Sequence, residues 1–212
     1  MNLQLGGLLL VAALFLSSSA LTPDECKPLL TPLSLDNVST MYGRWNFHMG
    51  FIDNEAFRAI LKVTESSWMN ITLSDDKTFV TQQEKLNGTC LATKVEVHIN
   101  GDTVTISVPN ITSHFHLIPG CDGCMVMNIK NTARNLGSLV QKLHLNANVT
   151  DEELHFPALY LMARESSLQD SDLERFKQQA SCLGFSGEPD YHYDPKNEFC
   201  AEGEGVMQKF VL

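Results

Sequence analysis

Alternation of apolar and polar side chains is the strongest pattern in the chain, and it indicates β-strands with one buried face. The first run covers residues 42–50, where Gly43 permits a tight turn of the backbone before Trp45. A hairpin turn is predicted at Asn100-Gly101-Asp102, because Asn-Gly readily takes positive φ. Further strands are predicted over 61–73, around Phe79, and over 91–99, 104–108, 113–118, 125–129 and 156–164. The side chains expected to face inward are Trp45, Phe47, Met49, Met69, Ile71, Leu73, Phe79, Leu91, Val95, Val97, Ile99, Val104, Ile106, Val108, Phe115, Leu117, Met125, Met127, Tyr160 and Met162. This parity puts Trp68 on the outer face unless a bulge intervenes.

Helical patterns occur outside these strands. Residues 171–174 form a capping box, Ser-Asp-Leu-Glu, which predicts the start of a helix that ends at Gly184. Its apolar face would carry Leu173, Phe176, Ala180 and Leu183. Residues 131–153 fit a helix around Leu136 to Val140 and a strand around Leu143 and Leu145. This stretch is therefore interpreted as an insertion between the last two strands, to which the pattern assigns no single structure.

The chain divides into three parts. Residues 1–20 hold an apolar run and then small residues, which predicts a signal peptide, although no Lys or Arg precedes the run. Residues 21–200 are expected to form one domain, followed by a tail over 201–212. No other run is long and apolar enough to predict a membrane span. The protein is therefore expected to be secreted.

Charge and sequons extend this expectation. The chain has 25 acidic and 15 basic residues, which argues against nucleic acid or an anionic membrane as a partner. Asn-x-Ser/Thr sequons predict a glycoprotein. They lie at Asn37, Asn70, Asn87, Asn110 and Asn148.

The candidate catalytic and metal motifs have simpler interpretations. Cys121-x-x-Cys124 could be a redox pair, but a strand-like run follows it instead of a helix whose N-terminus would activate a thiolate. His114 and His116 share a strand face and could join that pair at a zinc ion, but the cysteines of a secreted chain are expected to be oxidised. The histidines are instead expected to face solvent, or to supply polar groups to a pocket. Motifs of hydrolases and phosphate-binding loops are absent from the sequence, so no enzyme activity, cofactor or metal is expected.

Three features together resemble the lipocalin family. They are Gly43-x-Trp45 near the start of the mature chain, Leu161-Met162-Ala163-Arg164 near its end, and the capped helix that follows. The resemblance implies an all-β fold, an eight-stranded antiparallel up-and-down barrel with a C-terminal α-helix packed outside. It implies that Arg164 packs over Trp45 at the barrel floor, a cation–π contact worth roughly 0.5–2 kcal/mol. Residues 53–60 would form a loop or short helical lid at the mouth.

The cysteine spacing and the sequons are similar to those of the outlier branch that includes orosomucoid and apolipoprotein M. Six cysteines alone allow fifteen pairings. The resemblance implies Cys26–Cys182 and Cys90–Cys200, which leaves Cys121–Cys124. The lipocalin motif Thr-Asp-x-x-x-Tyr is missing from this sequence, which makes strands F and G of the barrel harder to place.

The resemblance implies a secreted carrier that binds or transports a small hydrophobic or amphipathic ligand, such as a lipid, steroid, toxin or xenobiotic, inside the barrel. Strand parity predicts ligand contacts at Phe47, Met49, Phe79, Val95, Val97, Met125, Met127, Tyr160 and Met162. A monomer is expected. The alternative is an immune-modulating glycoprotein whose outer surface binds a cell-surface receptor. An enzymatic lipocalin ranks third, because it would need a free cysteine in the barrel.

Overall fold

The computed structural model describes residues 21–142 and 152–207, so the predicted signal peptide lies outside the described residues. Within these ranges, eight antiparallel strands pair in chain order, and β8 pairs with β1 to close a barrel. The predicted up-and-down barrel is therefore confirmed. The strands are β1 Gly43–Ile52, β2 Thr64–Ser74, β3 Lys77–Leu86, β4 Thr89–Asn100, β5 Thr103–Val108, β6 Ile111–Ile118, β7 Cys124–Ala133 and β8 Leu154–Ala163.

Four α-helices accompany the barrel in the described ranges: α1 Pro23–Leu30, α2 Glu55–Val63, α3 Gly137–Lys142 and α4 Asp170–Cys182. The predicted C-terminal helix is α4, and it packs outside the barrel through Phe176 and Ala180. It begins before the predicted capping box, with Gln169 at the N-cap and no side-chain cap bond. None of these helices is long and apolar enough to cross a membrane.

A bulge in β1 overturns one predicted side-chain direction. Phe47 pairs with Met162 and Met49 pairs with Leu161, so His48 is an extra residue between two consecutive partners in β8. A bulge reverses the alternation beyond it. Met49 was predicted to face inward, but it packs outside the barrel with Phe176 of α4.

The β2–β3 register corrects a second prediction. A two-residue turn at Asp75-Asp76 brings Ser74 opposite Lys77, and Ile71 therefore lies opposite Val80. Because paired residues share one face of a sheet, Val80 faces inward and Phe79 faces outward. The Lys94 ammonium lies 4.7 Å from the Phe79 ring centroid on that outer face. Leu73 was also predicted to be inward, but it lies at the strand end and is 55% exposed.

The segment after α4, residues 190–207, begins beside β1 with Tyr191 in the inner core and then crosses the outside of the barrel; we call it the C-terminal segment. Its strand β9, Tyr191–His192, pairs with β1 at Gly50 and Met49. Strand β10, Val206–Met207, pairs in parallel with Leu91 and Ala92 of β4. The predicted tail, 201–212, thus contributes a strand within its described part, and residues 208–212 lie outside the described residues.

Trp68 is buried by the C-terminal segment even though it faces out of the barrel. Its indole N–H donates a hydrogen bond to the Cys200 carbonyl over 2.8 Å. The Arg44 guanidinium lies 4.3 Å from its ring centroid and also stacks on Phe199. Only 3% of Trp68 is exposed. The predicted parity of this tryptophan is correct, and its burial comes from residues more than a hundred positions away.

Disulfides fix the two ends of the chain. Cys26–Cys182 joins α1 to α4, and Cys90–Cys200 joins β4 to the C-terminal segment, so both implied pairings are confirmed. A third bond joins Cys121 to Cys124 in the turn between β6 and β7. No cysteine of the described residues is free.

The predicted insertion at 131–153 contains the end of β7 and helix α3 in its described part. Strand β7 continues to Ala133, and the helical spacing around Leu136 to Val140 corresponds to α3. Strand β8 begins at Leu154, slightly before the predicted start. Residues 143–151, which include Leu143, Leu145 and the sequon at Asn148, lie outside the described residues.

Candidate functional site

The inward faces of the strands enclose a cavity of about 460 Å³. It lies between the barrel floor, where β1 begins and β8 ends, and the mouth, which α2 and two loops surround. The loops contribute Pro109-Asn110 and residues 134–136. The strand side chains that line it are mostly apolar, so the cavity can enclose an apolar body.

The floor is built around the contact between Arg164 and Trp45. The guanidinium carbon lies 3.7 Å from the Trp45 ring centroid. Arg164 also donates hydrogen bonds to the carbonyls of Arg44, Thr40 and Tyr42. Gly43 is needed here, because its φ is +95° and an added Cβ would lie 2.9 Å from the Arg164 Nη1. The floor thus closes one end of the cavity with a residue from each end of the barrel sheet.

Helix α2 covers part of the mouth, as the predicted lid. The Asn54 side chain accepts hydrogen bonds from the backbone N–H groups of Ala56 and Phe57, which caps the helix. Phe57 packs against Phe156 of β8 with ring centroids 5.1 Å apart. Arg58 donates from Nε to Asp190 over 2.7 Å. This ion pair attaches α2 to the C-terminal segment.

Six of the nine residues predicted to contact a ligand line the cavity: Phe47, Val97, Met125, Met127, Tyr160 and Met162. Val95 packs against the inner core without lining the cavity. Met49 and Phe79 lie outside the barrel, for the reasons given by the bulge and the β2–β3 turn.

Aromatic rings form one wall of the cavity. Phe47 lies between Tyr160, with ring centroids 5.0 Å apart, and Tyr191 of the C-terminal segment, at 4.4 Å. Gly50 follows the bulge and makes room for these rings, because a Cβ there would lie 2.6 Å from the Phe47 ring. No partner of the Tyr160 hydroxyl is found in the described part of the chain, and the residue lines the cavity. The hydroxyl is therefore available to a ligand.

Polar residues of β2 and β3 form another part of the wall, and sequence analysis missed them. Gln82 donates a 2.6 Å hydrogen bond from Nε2 to Glu84 Oε1 and a longer one to the Ser67 hydroxyl. Burial raises the pKa of Glu84 to about 7. Burial and the Glu84 charge also raise the pKa of Tyr160. The available signal was the two-residue turn at Asp75-Asp76, since a register counted from it places Gln82 and Glu84 inward with Val80.

The histidines and cysteines singled out in the sequence lie away from the cavity. His114 Nδ1 lies 2.9 Å from the Thr105 hydroxyl, and His116 Nδ1 lies 3.1 Å from the Asp102 carbonyl, both on the outer face. Because Cys121 and Cys124 form a disulfide, they offer no thiolates to a metal ion. The described cavity lining contains no cysteine.

Solved structures with the same architecture are lipocalins. The siderocalin Ex-FABP aligns with a TM-score of 0.54 and 12% identity over 74% of this chain and 95% of its own. Lipocalin 12 from rat epididymis aligns with a TM-score of 0.52 and 13% identity over 72% of this chain and 82% of its own. The bovine lipocalin allergen Bos d 2 aligns with a TM-score of 0.50 and 18% identity over 71% of this chain and 89% of its own.

Sequence comparison alone finds no such relationship. No family model matches the chain, and no curated protein matches it. The similarity therefore lies in the arrangement of the strands around the cavity and in the helix outside them. The chain has the lipocalin fold.

Proposed function

We propose that the protein is a lipocalin carrier that binds a small hydrophobic or amphipathic ligand inside its barrel. The cavity of about 460 Å³ supports this proposal most directly. It lies within the size range of small-molecule sites, and its lining combines many apolar side chains with a few polar ones. The lipocalin fold adds to it by analogy, and Ex-FABP is described as acting through dual ligand specificities.

Burial of the ligand would supply most of the binding free energy. Each methylene group moved from water into the cavity contributes roughly 0.8 kcal/mol. The flexible thioethers of Met125, Met127 and Met162 can adapt to ligands of irregular shape. The hydroxyl of Tyr160 would orient a polar group of the ligand.

We also infer secretion and glycosylation, and a place in the branch of orosomucoid and apolipoprotein M. The Cys26–Cys182 and Cys90–Cys200 bonds suit an oxidising compartment. Of the sequon asparagines, Asn37, Asn87 and Asn110 are exposed, and Asn70 points outward from β2 between inward neighbours. Treatment of the secreted protein with peptide N-glycosidase should lower its mass, and an unchanged mass would contradict the glycoprotein proposal.

Filling the cavity is the direct test of the carrier proposal. Met127→Trp adds a large ring to the lining, and we expect it to weaken binding of the neutral fluorescent probe N-phenyl-1-naphthylamine at least about tenfold, which corresponds to about 1.4 kcal/mol. Tyr160→Phe should change the affinity less, because the probe has little polar surface. Fluorescence titration measures both.

Phe79→Trp is the matched control, because Phe79 lies on the outer face of β3. It should bind the probe like the natural protein. Equal probe affinity in Met127→Trp and Phe79→Trp, with both variants folded by circular dichroism, would contradict binding in the cavity. The proposal of a receptor-binding outer surface would then take its place, and capture of extracellular receptors by the glycosylated monomer would test it.

A further inference from the structure

The cavity contains one carboxylate among its described lining residues, and that carboxylate has no cationic partner. The other ionisable lining groups are Tyr160 and Arg134. Arg134 lies at the mouth, where its guanidinium pairs with Glu153. The Glu84 side chain, in contrast, lies on β3 opposite Ser67 of β2, inside the barrel.

Gln82 holds the Glu84 carboxylate in place but donates a hydrogen bond to only one of its two oxygens. Its amide donates to Oε1, while Oε2 has no partner among the described residues. Glu84 keeps part of its surface accessible, and that surface belongs to the cavity lining. An ionised carboxylate with an unfilled acceptor, facing an apolar space, is stabilised by a positively charged hydrogen-bond donor.

We propose that the cavity selects ligands in which a hydrophobic body carries a single ammonium group, and that this group pairs with Glu84. The inference rests on the proposed carrier function and specifies its ligand class. The ammonium would donate to Glu84 Oε2. Its apolar body would extend along Met125, Met127 and Met162.

The pairing makes binding depend on pH. The pKa of Glu84 near 7 in the empty cavity means that the carboxyl is partly protonated at neutral pH. A bound ammonium favours the ionised form, so binding releases a fraction of a proton and strengthens as pH rises from 5.5 to 8. Among the described residues, the polar side chains that face Glu84 are those of Gln82 and Ser67, which do not titrate, and the phenols of Tyr160 and Tyr191. Burial and the Glu84 charge raise the pKa values of both phenols. Lys85, the next residue, lies near Glu65 instead, with 3.9 Å between Nζ and Oε2.

Three probes with one fluorophore test the proposal. They are dansylamides whose ten-carbon chain ends in a methyl group, a primary amine or a carboxylate. At pH 8 the natural protein should bind the amine probe at least about tenfold more tightly than the carboxylate probe. The ammonium would form a charge-assisted hydrogen bond with Glu84, whereas the carboxylate would be repelled by it. The amine affinity should fall severalfold between pH 8 and pH 5.5, while the methyl affinity should not fall.

Glu84→Gln keeps the shape of the side chain and removes its charge. It should lose at least about tenfold in amine affinity and most of the pH dependence, and bind the methyl probe at least as tightly as the natural protein. Glu96→Gln is the control, because Glu96 lies on the outer face of β4 and pairs with Lys77 over 3.1 Å. It should bind all three probes unchanged.

Failure of the inference and failure of the carrier proposal give different results. If the methyl probe binds but the amine probe is not preferred over the carboxylate probe, or if Glu84→Gln retains the full amine affinity, the ammonium pairing is wrong and the carrier proposal survives. If the natural protein binds none of the three probes, both proposals fail.

Discussion

The direction of Glu84 follows from the turn that precedes its strand. Asp75 and Asp76 have φ values of 50° and 58°, as a two-residue hairpin turn requires. Counting outward from this turn puts Val80, Gln82 and Glu84 inside and Phe79 outside. A shift of one residue exchanges the two faces of a strand. The turn was visible in the sequence, so the direction of Phe79 could have been predicted correctly. The raised pKa of Glu84 could not have been predicted from the sequence, because it results from burial by residues of other strands.

Removing the buried charge should stabilise the ligand-free protein at alkaline pH. The pKa of Glu84 rises on folding from its ordinary value near 4.5 to about 7. The folded state therefore binds more protons between these values, and stability is lost as pH rises through 7. Glu84→Gln should raise the free energy of unfolding by roughly 2–3 kcal/mol at pH 8 and leave it nearly unchanged at pH 4. Urea unfolding at the two pH values measures this; an equal effect at both would contradict it.

The elements around the mouth differ in how firmly they are attached. Strand β1 pairs with β8 as far as Ile52, at the mouth, and β9 of the C-terminal segment pairs with it beyond the bulge. Helix α2 has no strand pairing and is attached by the buried Ala56, by the Phe57–Phe156 contact and by Arg58, whose ion pair with Asp190 is partly exposed. Displacing the lid would open the mouth without breaking any strand pairing of the barrel, so we expect it to be the element that moves.

Breaking the attachment of α2 should speed ligand exchange. In Arg58→Ala we expect the dissociation rate of N-phenyl-1-naphthylamine to rise severalfold, because the ion pair with Asp190 and the bond to the Ile52 carbonyl are lost. Stopped-flow displacement measures the rate. Lys62→Ala is the matched control, since Lys62 is exposed on the same helix. Equal rates in the two variants would show that the mouth opens elsewhere.

For the whole molecule, strand alternation and the lipocalin resemblance predicted the barrel, the external helix and the pairing of four cysteines. They could not predict what covers the outside of the barrel. Trp68 is buried by Cys200 and Phe199, which are far away in sequence. The bulge at His48 also has no local signal, because large apolar residues alternate with other residues without a break from Trp45 to Phe51, as they would in a regular strand. Apart from the direction of the Phe79 side chain, the missed features are thus ones that no local pattern in the sequence indicates.

The Cys90–Cys200 bond should stabilise both the fold and the cover over Trp68. It joins residues 110 positions apart, and a loop of that size corresponds to roughly 4–5 kcal/mol in the chain-entropy model. In a Trp45→Phe background, Cys90→Ala/Cys200→Ala should lower the free energy of unfolding by about 2–5 kcal/mol and shift the Trp68 emission to longer wavelength.

Cys121→Ala/Cys124→Ala is the control for this experiment. Its bond closes a separation of only three residues, so we expect a smaller loss of stability and no change in Trp68 emission. If the two double variants lost the same stability, loop length would not explain the effect.

The contact of the C-terminal segment with β1 also sets the order in which the protein can be completed during synthesis. Tyr191 stacks on Phe47 inside the barrel, and Ser66 and Asn197 bond the segment to β2. The gap between β1 and β2 near the mouth is therefore closed by residues that leave the ribosome after all eight barrel strands. Domains form as their chain emerges, but the gap in this barrel is closed only once residues 191–198 are available. Until then the nascent barrel exposes the Phe47 side of its lining, which is the apolar surface that a chaperone would have to shield.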